Sequence, residues 1–192
     1  MTFLFDKNNH FNLANIVTFF NITSGILAIY FITHHQFFGA ALFAWMGGAF
    51  DILDGKIARK YQLSTEFGIQ LDSFADFLSF VIVPVMFLYF AIFDENLFEL
   101  NTVLVFGVFV YYIISGLRRL IQFNIDSDEG KVSKYFTGVP TPLGAILLWV
   151  VYLIWLGGYF PILFDTPSEY IVLFFIALIG YLLNSKVKIP HP

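Results

Sequence analysis

Cysteine is absent from this 192-residue chain, which excludes disulfides, thiolate catalysis and cysteine-ligated zinc. Charge is scarce: Asp, Glu, Lys and Arg together make up 12% of the residues. Ten basic residues and a net charge of −4 supply no basic surface for nucleic acid. A signal-peptide cleavage pattern is missing from Met1 to Asn12, which carries Asp6 and Lys7, so the first apolar stretch is expected to remain as an anchor. Internal repeats and low-complexity tracts are lacking too. What fills the chain is apolar and aromatic, 58% and 20% respectively. That composition excludes a water-soluble domain and predicts a polytopic membrane protein, folded as a single domain over residues 1–192.

A bilayer crossing needs roughly 20 apolar residues. Six stretches approach this: Leu13–Thr33, Phe37–Asp54, Phe67–Phe93, Leu100–Phe123, Thr141–Leu156 and Tyr170–Leu183. The second and fifth are short and are expected to extend with polar residues into a watery cleft. With both termini inside, the inner segments hold all ten basic residues: Lys7, Lys56, Arg59, Lys60, Arg118, Arg119, Lys131, Lys134, Lys186 and Lys188. The outer connections hold the acids Asp94, Glu95, Glu99, Asp165 and Glu169. This asymmetry predicts cytoplasmic termini in a cell (inner) membrane, and an all-α fold of six transmembrane helices.

Against that background one segment stands out. Asp51, Asp54, Asp72 and Asp76 fall within 26 positions of an apolar sequence, where uncompensated acids are costly. On helices, spacings of three and four place each pair on one face, with Cβ atoms about 5–6 Å apart. The turn from Lys60 to Thr65 brings the two helices back antiparallel, so the pairs can face each other. Four clustered carboxylates ask for compensating charge. Two divalent cations, Mg²⁺ or Mn²⁺, suit such an all-oxygen donor set. Gly55, Ala58 and Gly68 interleave with the acids and would let a phosphate or base approach the backbone. Arg59 offers a fork matched to a diphosphate. Intramembrane acids also line ion pathways, so a cation transporter is the alternative of another class. The lack of repeats and of a second, deeper acidic layer counts against it.

The eight fixed positions Asp51, Asp54, Gly55, Ala58, Arg59, Gly68, Asp72 and Asp76 match the signature D-x2-D-G-x2-A-R-x8-G-x3-D-x3-D. On these the chain resembles the CDP-alcohol phosphotransferases. The likeness extends over most of the chain. Asn15 to Asn21 with Gly25, and Asp72 to Phe80 with Pro84, are similar to the first and third spans of the bacterial phosphatidylserine synthases in that family. Gly116 to Asn124, Phe136 to Pro142, and Ser185 to His191 resemble further segments of the same subfamily. Two positions depart from it. Ala14 replaces a usual proline, which loosens the helix start, and Gln122 replaces a usual basic residue, which removes one contact to a substrate anion.

The resemblance implies a homodimer with a polar cleft open to the cytoplasm, and transfer of a phosphatidyl group from CDP-diacylglycerol to L-serine with release of CMP. It implies Asp51, Asp54 and Asp72 as metal ligands, and Asp76 as both ligand and general base. Gly55, Arg59 and Thr65 would hold the CDP moiety, joined by Asn15 and Thr18. The acyl chains would stay in membrane lipid. For the serine carboxylate Arg119 is the expected partner; Arg118 points about 100° away on a helix. Ser79 and Asn124 are further candidates for binding the amino acid. Within the family, the alternative acceptors are glycerol 3-phosphate and inositol phosphate. Both bring a phosphate dianion and would want more basic residues in the cleft; the ones expected to be available there outside the signature are Arg118, Arg119, Lys131 and Lys134, which favours a less anionic acceptor. Adjacent His34 and His35 have no acid pair nearby, and Tyr30, Tyr152, Trp155 and Tyr159 read as an interfacial belt.

Overall fold

The computed structural model describes residues 3–7, 9–94, 101–128, 135–163, 167–185 and 188–190. The chain divides into two compact units, Met1–Val83 and Pro84–Pro192.

In the first unit a short 3-10 turn, Phe3–Phe5, precedes three helices: α1 (Leu13–Thr33), α2 (Phe37–Tyr61) and α3 (Glu66–Asp76). Asn12 starts α1, its side chain accepting the Asn15 N–H at 3.0 Å. This supplies the helix start that Ala14 in place of proline was expected to loosen. The Asn12 amide also reaches the Leu63 carbonyl at 3.5 Å, joining the head of α1 to the turn after α2. α1, α2 and α3 pack through small residues. Ala28, Ala40 and Ala75 are fully buried, and Gly47 lies against Asn21 and Ser79. Such residues let helices approach closely where lipid offers no hydrophobic drive between them.

The second and fifth apolar stretches were expected to extend with polar residues: α2 does, running seven residues past Asp54 to Tyr61, whereas the fifth keeps to Thr141–Leu156. α2 stops at Gln62, whose backbone is left-handed (φ 55°) and whose N–H returns to the Ala58 carbonyl. Thr65 then caps α3, its hydroxyl oxygen accepting the Gly68 N–H at 3.0 Å. Past Asp76 the backbone loosens into π-helical turns over Phe77–Ile82.

The second unit contains α4 (Val83–Leu88), a further π-helical stretch Tyr89–Phe93, α5 (Thr102–Asp128), α6 (Thr141–Leu156), α7 (Phe160–Leu163) and α8 (Ser168–Leu183). Phe87 packs between Trp149 and Tyr152 of α6, with ring centroids 4.5 and 4.8 Å away. Tyr112 of α5 is fully buried. The described residues are nearly all helical. The exception is a ribbon of β1 (Tyr135–Thr137) and β2 (Lys188–Pro190), paired antiparallel with Phe136 opposite Ile189. Gly138 follows β1 at φ 88°. A Cβ there would stand 2.7 Å from the Leu183 carbonyl, so only glycine fits the bend.

Among the described residues, four helical stretches are long and apolar enough to cross a membrane: Leu13–Thr33, Phe37–Tyr61, Glu66–Phe93 and Thr102–Asp126. Thr141–Leu156 and Ser168–Leu183 are apolar but only 16 residues each. The charged positions Glu95, Glu99, Lys131, Lys134, Asp165 and Lys186, and His191, lie outside the described residues.

Candidate active site

The long α2 and the capped α3 carry the eight signature residues on two helices joined by a short turn. Facing oxygens of Asp51, Asp72 and Asp76 all lie within 4.8 Å of one another. Asp54 is not part of that triplet. Three positions along a helix leave a rotation of about 60° between side chains, and Asp54 turns towards α1. There it is 3% exposed and lines a pocket that also contains Asp72. Asp72 thus belongs to both the acid cluster and the pocket. Among the described residues, Oδ2 of Asp54 and Oδ1 of Asp76 are buried without a hydrogen-bond partner. Buried carboxylate oxygens are seldom left so.

These residues fit a metal centre. The donors are all oxygen, they converge, they would repel one another when ionised, and Oδ2 of the neighbouring Asp54 is buried without a hydrogen-bond partner. Hard divalent cations match that set.

Beside the acids lies a pocket with an empty volume of about 570 Å³, partly open to solvent. It is lined by Asn15 and Thr18 of α1, Asp54, Gly55 and Arg59 of α2, and Thr65 and Gly68 at the head of α3, among others. The structure therefore brings together all five residues expected to hold the CDP moiety. The two glycines do different work. A Cβ on Gly68 would lie 2.9 Å from Asn15 Oδ1 and 3.2 Å from Thr65 Oγ1, so the protein's own packing excludes one. A Cβ on Gly55 would meet nothing closer than the Arg59 guanidinium at 3.5 Å, an ordinary contact. Packing does not require that glycine; the missing side chain leaves a cradle under Arg59. Arg59 itself has no hydrogen-bond partner among the described residues.

Arg119, Ser79 and Asn124, the residues expected at the amino-acid acceptor, are less uniform. In the first unit, Ser79 is buried and donates its hydroxyl to Asn21 Oδ1 at 2.6 Å. In the second, Arg119 is 5% exposed and its Nε donates to the Val139 carbonyl at 3.1 Å, tying α5 to the turn before α6. Asn124 is half-buried on α5. Gln122, which replaces a usual basic residue, donates to Asp126 at 2.8 Å. His34 places a ring nitrogen 2.8 Å from the Tyr30 carbonyl, in keeping with a structural role.

Sequence reasoning assigned no role to Asn12, Leu63, Ser64 or Ile69. Asn12 ties the α2–α3 turn to α1, and the other three line the pocket. Asn21 carried a legible signal, a polar side chain inside an apolar span, yet its bond to Ser79 depends on three-dimensional packing.

Residues 11–184 match the family described as CDP-alcohol phosphatidyltransferase. The chain is similar to proteins named CDP-diacylglycerol–serine O-phosphatidyltransferase in several organisms. With that of Bacillus subtilis (strain 168) it is 31% identical over 178 residues, covering 92% of this chain and 88% of the relative. With that of Saccharomyces cerevisiae it is 32% identical over 212 residues, covering 98% and 74%. With that of Methanocaldococcus jannaschii it is 30% identical over 188 residues, covering 97% and 78%.

Proposed function

Because this chain belongs to the CDP-alcohol phosphatidyltransferase family, we infer that it transfers the phosphatidyl group of CDP-diacylglycerol to the hydroxyl of L-serine, giving phosphatidylserine and CMP. The observation that carries this reading is the pairing of an acid triplet with a glycine-floored, arginine-roofed pocket that shares Asp72 with it.

The pocket residues take the nucleotide end of the donor. Arg59 spans the diphosphate with its fork, and Gly55 gives the phosphates room beneath it. Asn15, Thr18 and Thr65 offer polar atoms to the rest of the CDP moiety. Two divalent cations, Mg²⁺ or Mn²⁺, held by Asp51, Asp54, Asp72 and Asp76, would neutralise charge on the phosphoryl oxygens and on departing CMP. Asp76 accepts the proton of the serine hydroxyl. The serine oxygen forms its bond to the β-phosphorus while the bond to the CMP oxygen breaks, and CMP leaves with that electron pair. One direct displacement inverts configuration at phosphorus.

Arg119 is proposed to hold the serine carboxylate. The Ser79 hydroxyl gives its hydrogen to Asn21 but keeps lone pairs for the ammonium group, and Asn124 is a third contact. The two units are proposed to act as one enzyme domain and to pair as a homodimer. Six helices would cross the inner membrane, with Thr141–Leu156 and Ser168–Leu183 as the short spans, around a cleft open to the cytoplasm that also receives both termini.

The deciding experiment offers one CDP-lipid to the detergent-purified protein with serine, glycerol 3-phosphate, inositol or inositol phosphate, and reads product mass. Phosphatidylserine with CMP is the expected product. Product with a phosphate-bearing acceptor alone would assign another family activity, and cation flux without CMP release would assign a transporter.

A further inference from the structure

A second polar layer lies beneath the acids, further from the turn that joins α2 and α3. One turn past Thr18 on α1 is Asn21; one turn before Asp51 on α2 is Gly47; one turn past Asp76 is Ser79. The three meet. Ser79 Oγ donates to Asn21 Oδ1 at 2.6 Å, and a Cβ on Gly47 would stand 3.1 Å from that Oδ1 and 3.2 Å from Ser79 Oγ. α2 thus closes over the pair, and Asn21 has no accessible surface. Its Nδ2 is buried without a hydrogen-bond partner among the described residues, as is Oδ1 of Asp76. A buried donor and a buried acceptor, both unmatched, therefore sit in adjacent layers of the same helix junction. Unsatisfied buried groups of this kind need an explanation.

We propose that Asn21 is a positioning residue for the acid cluster: its amide N–H holds the Asp76 oxygen that does not face the metal. The Ser79 hydroxyl fixes the orientation of the amide, and Gly47 leaves the space in which it lies. Metal-ligating carboxylates are commonly held by such a bond, which fixes their rotamer and raises affinity for the ion. Rotation of the Asp76 side chain on loading would satisfy both unmatched atoms. This inference rests on the metal reading of the cluster.

The test is Mn²⁺ binding to the full chain in detergent, without nucleotide, with free Mn²⁺ counted by electron paramagnetic resonance. Asp51→Asn measures the metal reading itself, and unchanged Mn²⁺ affinity in that variant would remove both readings. With Asp51→Asn impaired, Asn21→Ala is expected to weaken Mn²⁺ binding by roughly 10–100-fold. Ser79→Ala should weaken it in the same direction by less. Thr23→Ala, whose hydroxyl bonds to its own helix at the Phe19 carbonyl and to nothing else among the described residues, should leave it unchanged. Wild-type affinity in Asn21→Ala would overturn the positioning role while leaving the metal site standing. Equal weakening by Thr23→Ala would overturn it as well. If Asn21→Ala does not fold, Ser79→Ala decides, and wild-type affinity there overturns the proposal.

Discussion

Gly55→Ala should make the protein more stable and the enzyme worse. Gly55 lies within α2, where replacing glycine by alanine favours the helix by about 0.5–1 kcal/mol. The new methyl would sit 3.5 Å from the Arg59 guanidinium, at ordinary contact distance, so no packing penalty offsets that gain. A stabilisation of this size raises the melting temperature by about 1–4 °C in a chain of this length. The same methyl occupies the floor on which the diphosphate is proposed to lie. Overpacking there costs about 1–3 kcal/mol, which at about 1.4 kcal/mol per tenfold corresponds to a roughly 5–150-fold loss in kcat/KM for the CDP-lipid. The assay pairs thermal unfolding in detergent with CMP release at varied CDP-lipid concentration. Unchanged kcat/KM would refute the cradle, and a lowered melting temperature would refute the reading that the protein itself leaves this space open.

Gly68→Ala should behave oppositely. Its Cβ meets buried Asn15 and the capping Thr65, so it should lose about 1–3 kcal/mol of stability, seen as a lower melting temperature. Asp76→Asn should abolish turnover while CMP still binds, measured by isothermal titration; near-normal turnover would reject the base assignment. Arg119→Ala should raise KM for serine at least about tenfold, the worth of about 1.4 kcal/mol, while KM for the CDP-lipid stays within twofold or so. Equal loss for both substrates would give Arg119 only its bond to Val139.

Much of this arrangement is legible in the sequence, and the remainder has physical reasons for being hidden. Thr141–Leu156 ends where its apolar run ends, because Pro140 and Gly157 bound it. α2 runs past its apolar run. Lys56, Arg59 and Lys60 lower hydropathy without breaking helical hydrogen bonds, and the true stop is the left-handed Gln62. The π-helical turns after Asp76 leave no mark in residue periodicity, and the ribbon pairs residues more than 50 positions apart. Spacing alone put all four acids together. The rotation between Asp51 and Asp54 sends the latter into the pocket, which becomes visible only once α1 is packed against it. Arg59 and Gly55 were readable because their chemistry suits phosphate, whereas Asn21 acquires meaning only through Ser79.

The most direct measurement is anomalous diffraction from crystals of the protein grown with Mn²⁺ and a CDP-lipid. Two manganese peaks bounded by Asp51, Asp54, Asp72 and Asp76, with the diphosphate between them and Arg59, are predicted. A nucleotide bound elsewhere, with those four side chains free of metal, would contradict the account.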